Sequence, residues 1–476
     1  MKLFVENKKV AGNALLVCLL ATAIVGIILS AYLTLLKAQT QSVARSQTWN
    51  TTVSIIEAGM EEAIAHLNTH GDSNLLCDGW QLSGTKYVMQ RNVGDGYYNV
   101  SIESWFAGTN CNPIIESRAF IIPPVLIASA EGLIPFVAQI NGDNTFSSAG
   151  KMGRGVRAQT TRNSLFSKGL VAKGRIDLNG NNIMTDSYDS LDPTHSNGGL
   201  YEPSVRKANG DVATDSVLTN SINVGNADIY GKVSTGPKGT ISVGANGSVG
   251  DAAWHAAGNH GVEPGFSTDD MNVAFPVASV PWAGGGYLTS PDTNSSGSMT
   301  FYGGNYKLSS ISLSSRQTVT ILGDVSIWVP NGFTMNGQSE IDIAPGAKLT
   351  IYTGAPSNIG GNGLLNSTFD ASRCSVIGLP GCTSLSFGGN AGYIGTIYAP
   401  QADFSMSGGG STAYDFAGAA ITKSVTMNGH FNFHYDEALR IKGPGRGFIV
   451  TSWNEMDPSD VRNVPIPGTT TTQLLR

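Results

Sequence analysis

The sequence predicts a mainly β protein, in which a right-handed parallel β-helix (a solenoid) is preceded by a long N-terminal transmembrane α-helix and a small β head. Three observations predict this class. Residues 14–36 form a mostly apolar run of 23 positions without a charged side chain. Gly is unusually frequent, at 59 residues, while only 13% of the residues are charged, which is typical of turn-dense all-β proteins. A short apolar motif that ends in Gly recurs along the chain.

Length and composition set limits on the function. A chain of 476 residues exceeds one ordinary core, so two or more domains are expected. A formal net charge of -6 without a basic stripe argues against a nucleic-acid partner. Five cysteines are too few for a disulfide scaffold and lack the spacing of a metal site, so we expect no metal and no cofactor.

The N-terminal apolar run predicts a membrane helix that is retained in the mature protein. About 20 helical residues cross a hydrocarbon core of ~30 Å, and no small-x-small cleavage site follows the run as it would in a signal peptide. A helical period of apolar residues continues beyond it, and His70-Gly71-Asp72 ends the helix; the stripe comprises Trp49, Val53, Ile56, Met60, Ile64 and Leu67. We therefore expect one helix of about 55 residues, roughly 80 Å long. By itself, this helix could be a simple anchor with a stalk.

The basic leader, Gly12 directly before the apolar run, and the continuous helix resemble the N-terminal region of type IV pilins and pseudopilins. "GNALLV" at 12–17 and "EAGMEEAIAHL" at 57–67 resemble PilX-type minor pilins, in which an EAG-x-E-x-A pattern closes the long helix. The resemblance implies that a prepilin peptidase cuts between Gly12 and Asn13 and keeps the helix. Val17 stands where major pilins carry a Glu, as in minor pseudopilins at a filament tip. The implied partners are the inner membrane, other pilin-like subunits, and the pilus or type II secretion assembly machinery.

These observations divide the chain into a leader, a helix, a pilin-like β head, a β-helix domain and a C-terminal tail; the predicted ranges are 1–12, 13–70, 71–125, 126–450 and 451–476. In the head, alternating residues at 86–93, 97–106 and 114–125 predict a meander whose first turn is Gly94-Asp95-Gly96. Cys77 and Cys111 flank this unit and could form a disulfide in an oxidising compartment, or remain two unpaired thiols.

The β-helix is predicted from repeats of the pattern apolar-x-apolar-Asn/Ser-Gly, at 176–180, 333–337, 404–408 and 425–429. The last two copies are 21 residues apart, the length of one coil, and about a dozen coils at ~4.8 Å each would give a rod of roughly 60 Å. Residues i and i+2 of a strand share a face, so Met335, Met406 and Met427 should point into the core. A β-sandwich is the alternative architecture. Cys374 and Cys382, with Pro380-Gly381 between them, suggest a disulfide within a loop.

Four further segments carry a second resemblance: "DSYDS" (186–190), "YGKVSTGPKGTISV" (230–243), "GTIYAP" (395–400) and "FHYDEAL" (433–439). They resemble a bacterial β-helical domain of unassigned function that is found on the same membrane-anchored, pilin-like N-terminus. This resemblance implies architecture and surface placement, and no activity.

Polar residues near these segments are the candidates for catalysis: Asp186, Asp189, His434, Asp436, Glu437 and Arg440. Polysaccharide lyases and hydrolases of the β-helix type need paired carboxylates, or Asp-bound Ca²⁺ with an Arg or Lys base, on neighbouring coils. A structural interpretation is favoured here. "DSYDS" would satisfy its own backbone as an Asx-rich turn, and "HYDEALR" would lead from the last coil into a capping segment. We therefore predict no catalytic residue and no enzyme.

Three functions remain under consideration. The preferred one is a membrane-anchored minor pilin, similar to those of the type IV pilus or pseudopilus, that presents an extracytoplasmic β-helix for surface binding or adhesion, with glycans among its ligands. The alternatives are an anchored polysaccharide lyase or hydrolase of the β-helix type and a structural envelope spacer. The predicted location is the inner membrane, crossed once, with the body in the periplasm or on the cell surface.

Overall fold

The computed structural model describes residues 11–69, 79–103, 112–121, 152–180, 182–388, 392–408 and 414–462. The chain is mainly β with one long N-terminal helix. It divides into two compact units, one formed by residues 1–162 with 447–476 and the other, called the body below, by residues 163–446.

The N-terminal helix spans Ala11–Thr69, which confirms the predicted uninterrupted helix. Its first half is exposed, and the helix is long and apolar enough to cross a membrane. In the second half one face is buried against the head sheet, where Ile56, Met60 and Leu67 of the predicted stripe join Ile55 and Ala63. Trp49, also placed in that stripe, is instead 39% exposed, and the guanidinium of Arg154 lies 5.0 Å from its ring.

The helix packs on a six-stranded sheet. Its strands, in their order across the sheet, are Gln81–Ser83, Lys86–Val93, Gly96–Glu103, Ile114–Ile121, Met152–Ser164 and Gly445–Glu455. The predicted first hairpin is confirmed, since Val93 pairs with Gly96 and Gly94 has a left-handed φ of 56°.

The last two strands of this sheet correct the predicted boundaries at 126 and 450. Met152–Ser164 pairs with Ile114–Ile121, and Gly445–Glu455 lies beyond it at the edge of the same sheet. The helix Pro458–Arg462 also belongs to this unit, so residues 451–462 are not the predicted tail. Pairing between strands about 290 residues apart leaves no local signal in the sequence, so sequence patterning alone places these residues in the β-helix domain and the tail.

The body is built from short parallel strands that recur three at a time. Most of these strands pair in parallel with the third strand before or after them, which produces three ladders of hydrogen-bonded strands, called A, B and C. Gly261–Val262 and Ser267–Thr268 depart from this spacing, since they pair with Ser248–Gly250 and Val233–Ser234. Two long strands, Gly392–Gly408 and Tyr414–Gly429, bend through all three ladders.

Ladder A contains, apart from those two, Met299–Phe301, Thr318–Ile321, Glu340–Ile343, Gly363–Asn366, Phe431–Asp436, Met184–Tyr188, Asp228–Tyr230, Ser248–Gly250 and Gly261–Val262. Ladder B contains Gly304–Lys307, Asp324–Val329, Lys348–Thr353, Cys374–Gly378, Leu170–Ala172, Val212–Thr214, Val233–Ser234 and Ser267–Thr268. Ladder C contains Ile311–Leu313, Phe333–Met335, Ser357–Ile359, Ser384–Gly388, Ile176–Asp177, Ile222–Gly225 and Ile241–Val243. The remaining elements are Asp292–Thr293, which pairs antiparallel with Met299–Phe301, and short helices at Pro203–Val205, Ala252–Ala256, Ala371–Arg373 and Leu439–Lys442.

The first and the last strands of the body, counted along the sequence, pair with each other in the middle of this stack. Tyr414–Gly429 pairs with both Leu170–Ala172 and Ile176–Asp177, while Phe431–Asp436 pairs with Met184–Tyr188. The stack therefore runs from residue 299 to residue 436 and continues, without a change of strand direction, from residue 170 to residue 268. The sequence predicts that "HYDEALR" leads from the last coil into a cap at the end of the stack; that prediction is wrong, because strands pair with Phe431–Asp436 on both sides.

One extended segment, residues 269–291, connects the two outer ends of the stack and is called the strap below. It crosses ladder B tier by tier: the amide of Met271 donates to the carbonyl of Thr235, the hydroxyl of Tyr398 donates to the carbonyl of Pro276, and the amide of Leu288 donates to the carbonyl of Asn305. The strap thus returns the chain along the body, from the tier that ends at residue 268 to the tier that begins at residue 299.

The inner faces of the three ladders form one apolar core. Met335, Met406 and Met427 are all fully buried, as predicted, and Met406 pairs in register with Met427 across the predicted 21-residue repeat. The intervening Ser405 and Thr426 face outward and are partly exposed.

Cys374 and Cys382 do not form the predicted disulfide, since both are buried free thiols. Cys374 begins the strand Cys374–Gly378, so it lies about 13 Å from Gly378 at ~3.3 Å per residue. The Cβ of Cys382 is 3.5 Å from the position that a Cβ on Gly378 would take. The two cysteine Cβ atoms are therefore about 9 Å or more apart, whereas a disulfide needs ~3.5–4.5 Å. Burial raises the pKa of Cys374 to about 12 and that of Cys382 to about 11, which suppresses their thiolate forms.

Cys77 and Cys111 lie outside the described residues, so their disulfide stays a prediction. We expect iodoacetamide to modify Cys18, Cys374 and Cys382 in denatured, non-reduced protein, and to modify Cys77 and Cys111 only after reduction. Peptide mass spectrometry of protein from intact cells measures this. Modification of Cys77 and Cys111 without reductant would contradict an oxidising compartment for the head.

Candidate functional site

The candidate residues of ladder A come together where the two ends of the body meet. The parallel register places His434 beside Asp186, and both side chains are almost completely buried. Nδ1 of His434 lies 2.5 Å from Oδ1 of Asp186, while Nε2 lies 3.4 Å from Oδ1 of Asp415, on the exposed side. The hydroxyl of Tyr201 donates to Oδ2 of Asp186 at 2.6 Å, and the Tyr201 ring stacks on the imidazole with 3.5 Å between ring centroids.

The charge on His434 is supported by its carboxylate partners. Burial alone would lower the pKa of His434, but the hydrogen bonds and charges of Asp186 and Asp415 raise it above its usual value of 6.5. Burial, followed by the charge and hydrogen bond of Asp186, also raises the pKa of Tyr201. The group is thus a buried, hydrogen-bonded ion pair covered by an aromatic ring.

Glu437 belongs to a second group in the same place. Its carboxylate accepts hydrogen bonds from Ser187 Oγ at 2.8 Å, Lys207 Nζ at 2.6 Å and Asn209 Nδ2 at 2.8 Å. Burial would raise the pKa of Glu437, and these three donors lower it below its usual value. Glu437 therefore joins the loop 189–211 to the strand Met184–Tyr188.

The remaining candidates have local partners. Asp436 accepts from the amide and hydroxyl of Ser190, and burial raises its pKa to about 6. Asp189 accepts from the amide of Leu191, two residues on, which confirms the Asx-turn interpretation of "DSYDS" at this residue. The guanidinium of Arg440 lies 5.7 Å from the ring of Tyr435.

This arrangement joins strands from opposite ends of the body. His434 is 1% exposed and Asp186 0%, so the pair presents no face that a polymer substrate could contact. Within the described ranges, no group of three or more His, Cys, Asp or Glu side chains is arranged to hold a metal ion. The chemistry available here is that of a buried set of hydrogen bonds and ion pairs that holds strands together. This set, called the clasp below, comprises Asp186, Tyr201, His434, Asp436 and Glu437 with their partners.

An open cleft of about 380 Å³ lies beside the clasp and was not expected from the sequence. Its lining combines the loop 189–211 with turns of three tiers: Ser190, Gly198, Gly199, Pro345, Gly346, Ser367, Thr368, Phe369, Asp370, Arg373 and Lys442. Phe369 is 41% exposed and has a left-handed φ of 56°. A bulky residue in this conformation gives no recognisable sequence signal, because Gly or Asn normally occupies it.

An aromatic surface lies on the outer face of ladder B, under the strap. Trp282 of the strap makes edge contacts with Trp328 and Tyr352, at centroid distances of 6.3 and 6.2 Å. The ammonium of Lys307 lies 4.1 Å from the Trp328 ring. Trp328 alternates with the buried Ile327 and Val329, so its outward direction follows from the strand period.

The processing residues Gly12 and Asn13 lie in the first turns of the helix Ala11–Thr69. Residues 1–10, which hold the rest of the leader, are outside the described ranges.

Comparison with known proteins gives two matches. A family described as "Domain of unknown function (DUF7305)" matches residues 283–441, which is less than half of the chain. The matched segment begins in the strap and includes the strands from Met299–Phe301 to Phe431–Asp436. Among solved structures, the competence-associated pilin ComZ from Thermus thermophilus is similar at 13% identity, over 85% of this chain and 97% of that chain, with a TM-score of 0.22. A TM-score of this size does not indicate a common fold. No curated protein matches the chain.

Proposed function

We propose that this chain is a minor-pilin-like protein, anchored by its N-terminal helix, whose body is a parallel β-helix used for surface binding. The observation that carries the proposal is the helix Ala11–Thr69. Its first half exposes a continuous apolar surface, while its second half buries Ile56, Met60 and Leu67 in the head. A helix that is lipid-compatible at one end and part of a globular core at the other is the arrangement that the pilin resemblance implies.

The three parallel ladders support the β-helix. Apart from Gly261–Val262, which pairs with the strand directly before it, consecutive parallel strands fall in ladders A, B and C in turn and pair with strands one repeat away, as the coils of a solenoid do. The right-handed sense is part of the proposal. Such a stack presents long outer faces, and one of them carries the exposed part of the aromatic surface.

A non-enzymatic role is also proposed. The carboxylates that could have supported hydrolysis are used in the clasp: Asp186 bonds Tyr201 and His434, Glu437 bonds Lys207, and Asp436 bonds Ser190. The pilus or type II secretion assembly machinery, other pilin-like subunits and the inner membrane are the proposed partners.

Processing of the N-terminus tests the pilin assignment. In cells with a prepilin peptidase, we expect the mature chain to begin at Asn13, because the enzyme recognises the Gly before the apolar run. Gly12→Val should block cleavage and leave Met1 in place. Gly26→Ala is the matched control, since a Cβ at Gly26 would meet nothing within 4 Å.

Mass spectrometry of the mature N-terminus from both variants and from the unaltered chain measures this. An intact Met1 in the unaltered chain, or a start beyond Leu36, would exclude the pilin assignment.

A further inference from the structure

We propose that the cleft lined by Phe369, Arg373 and Lys442 binds an acidic saccharide. A sugar ring would pack against the Phe369 ring, and the carboxylate of the saccharide would pair with the guanidinium of Arg373. This inference rests on the proposed binding role of the body and names the ligand class. The cleft volume, about 380 Å³, lies within the ~300–1,000 Å³ typical of small-molecule sites.

The backbone of Phe369 provides the first argument. Its φ of 56° is an outlier for a bulky side chain, and residues held in such strained conformations cluster at ligand sites. The ring is not part of any of the body's buried clusters, and 41% of the residue is exposed. Packing therefore does not account for an aromatic residue at a position that Gly would occupy without strain.

The charges in the cleft provide the second argument. Asp370 is already neutralised: Oδ2 accepts from Lys442 Nζ at 2.9 Å, and Oδ1 accepts from the amide and hydroxyl of Ser372. These bonds lower the pKa of Asp370, against the effect of burial, which alone would raise it. Arg373 donates through Nη1 to the carbonyl of Gly346 at 3.1 Å, and its Nε and Nη2 make no hydrogen bond within the described residues. The lining is thus left with one cation whose planar donors fit a carboxylate.

The remaining walls suit a hydroxylated ligand. Gly198, Gly199 and Gly346 have no side chain between their backbone polar groups and the cleft, and Ser367 and Thr368 add hydroxyl oxygens, whose protons are donated to Asp342 and Asn366. An aromatic ring, a guanidinium and many small polar groups are the chemistry that a uronic or sialic acid residue would use. A neutral sugar would leave Arg373 unpaired, so the acidic class is preferred.

The test measures binding to the full-length protein in detergent by isothermal titration calorimetry. The probes are a galacturonate trisaccharide, a hyaluronan tetrasaccharide, sialyllactose and a neutral maltotriose. We expect saturable binding of at least one acidic probe, and at least tenfold weaker binding of that probe to Arg373→Gln. Arg316→Gln is the control: Arg316 is an exposed residue that bonds Gln338 on the same stack, and its loss should leave affinity unchanged.

Phe369→Gly separates a binding role from a structural one. It should reduce affinity at least tenfold without lowering the melting temperature, because Gly accepts the left-handed φ. A lowered melting temperature with unchanged affinity would overturn the role of Phe369. Absence of binding to every acidic probe, or displacement of the bound probe by an acetylated dipeptide carboxylate, would overturn the saccharide proposal. Binding of maltotriose in the same titration would still support a binding role for the body, whereas absence of binding to all four probes would count against both the saccharide site and that role.

Discussion

Replacing Met406 or Met427 with Asp is expected to unfold most of the body at temperatures that the unaltered chain tolerates. Both side chains are fully buried, and the register places Phe387, Met406 and Met427 in consecutive tiers of ladder C. Burying a Met side chain contributes on the order of 1.5–3 kcal/mol. An unpaired carboxylate between tiers adds a penalty of several kcal/mol, because neither neighbour offers a hydrogen-bond donor from its side chain.

The matched controls are Ser405→Asp and Thr426→Asp, each one residue from a buried Met on the same strand. Their side chains point out of the stack, so the new carboxylate remains in water and the melting temperature should change little. Thermal melting of the full-length protein in detergent, followed by circular dichroism at the β-sheet band, compares the four variants. Similar melting temperatures for inward and outward substitutions would refute the register of ladder C.

Replacing Asp186 with Asn is expected to weaken the clasp and to remove part of its pH dependence. Asn keeps the shape and can still accept from Tyr201, but it leaves the buried imidazole without its buried carboxylate partner and with only the more distant, exposed Asp415. Breaking a buried ion pair by removing one partner typically costs ~3–5 kcal/mol. Asp189→Asn is the control, because the carboxylate of Asp189 accepts from the amide of Leu191 in an Asx turn that Asn also forms, and it does not contact His434.

The sign of the pH effect follows from the raised pKa of His434. Stability gained from a folded-state pKa above the unfolded value is fully present below pH 6.5, the usual value for His, and is lost as the pH rises through the folded pKa. Asp436, whose pKa is raised to about 6, acts in the same direction at lower pH, since its ionisation between about 4 and 6 disfavours the fold. Melting temperatures measured from pH 6.5 to 9 should fall in the unaltered chain and fall less in Asp186→Asn. Parallel pH profiles for these two proteins would rule out His434 as the titrating group.

Local periodicity made part of this fold predictable. The helix to residue 69, the Gly94-Asp95 hairpin and the inward Met residues all follow from the spacing of apolar residues within one element. The prediction of a disulfide between Cys374 and Cys382 is wrong, because nearness in sequence does not bring these two residues together in space. An intervening strand separates the two residues.

The site was only partly predictable for a related reason. The sequence marks Asp186 and His434 as candidate site residues, but their contact depends on pairing between strands 248 residues apart. Tyr201 and Phe369 gave no signal. The first lies in a loop without periodicity, and the second owes its interest to a backbone angle that the residue type does not favour.

The meeting of the two ends of the body in mid-stack has a consequence for biosynthesis. A ribosome releases residues 163–268 first and residues 299–388 later, so each half can begin to form while its inner edge still lacks a partner. Tyr414–Gly429 and Phe431–Asp436, which are made last, supply the strands that pair with the edge beginning at Leu170–Ala172. Unpaired strand edges are templates for aggregation. The nascent chain therefore carries two unpaired strand edges until translation has passed residue 436. A truncation before Tyr414 would leave both edges without a partner.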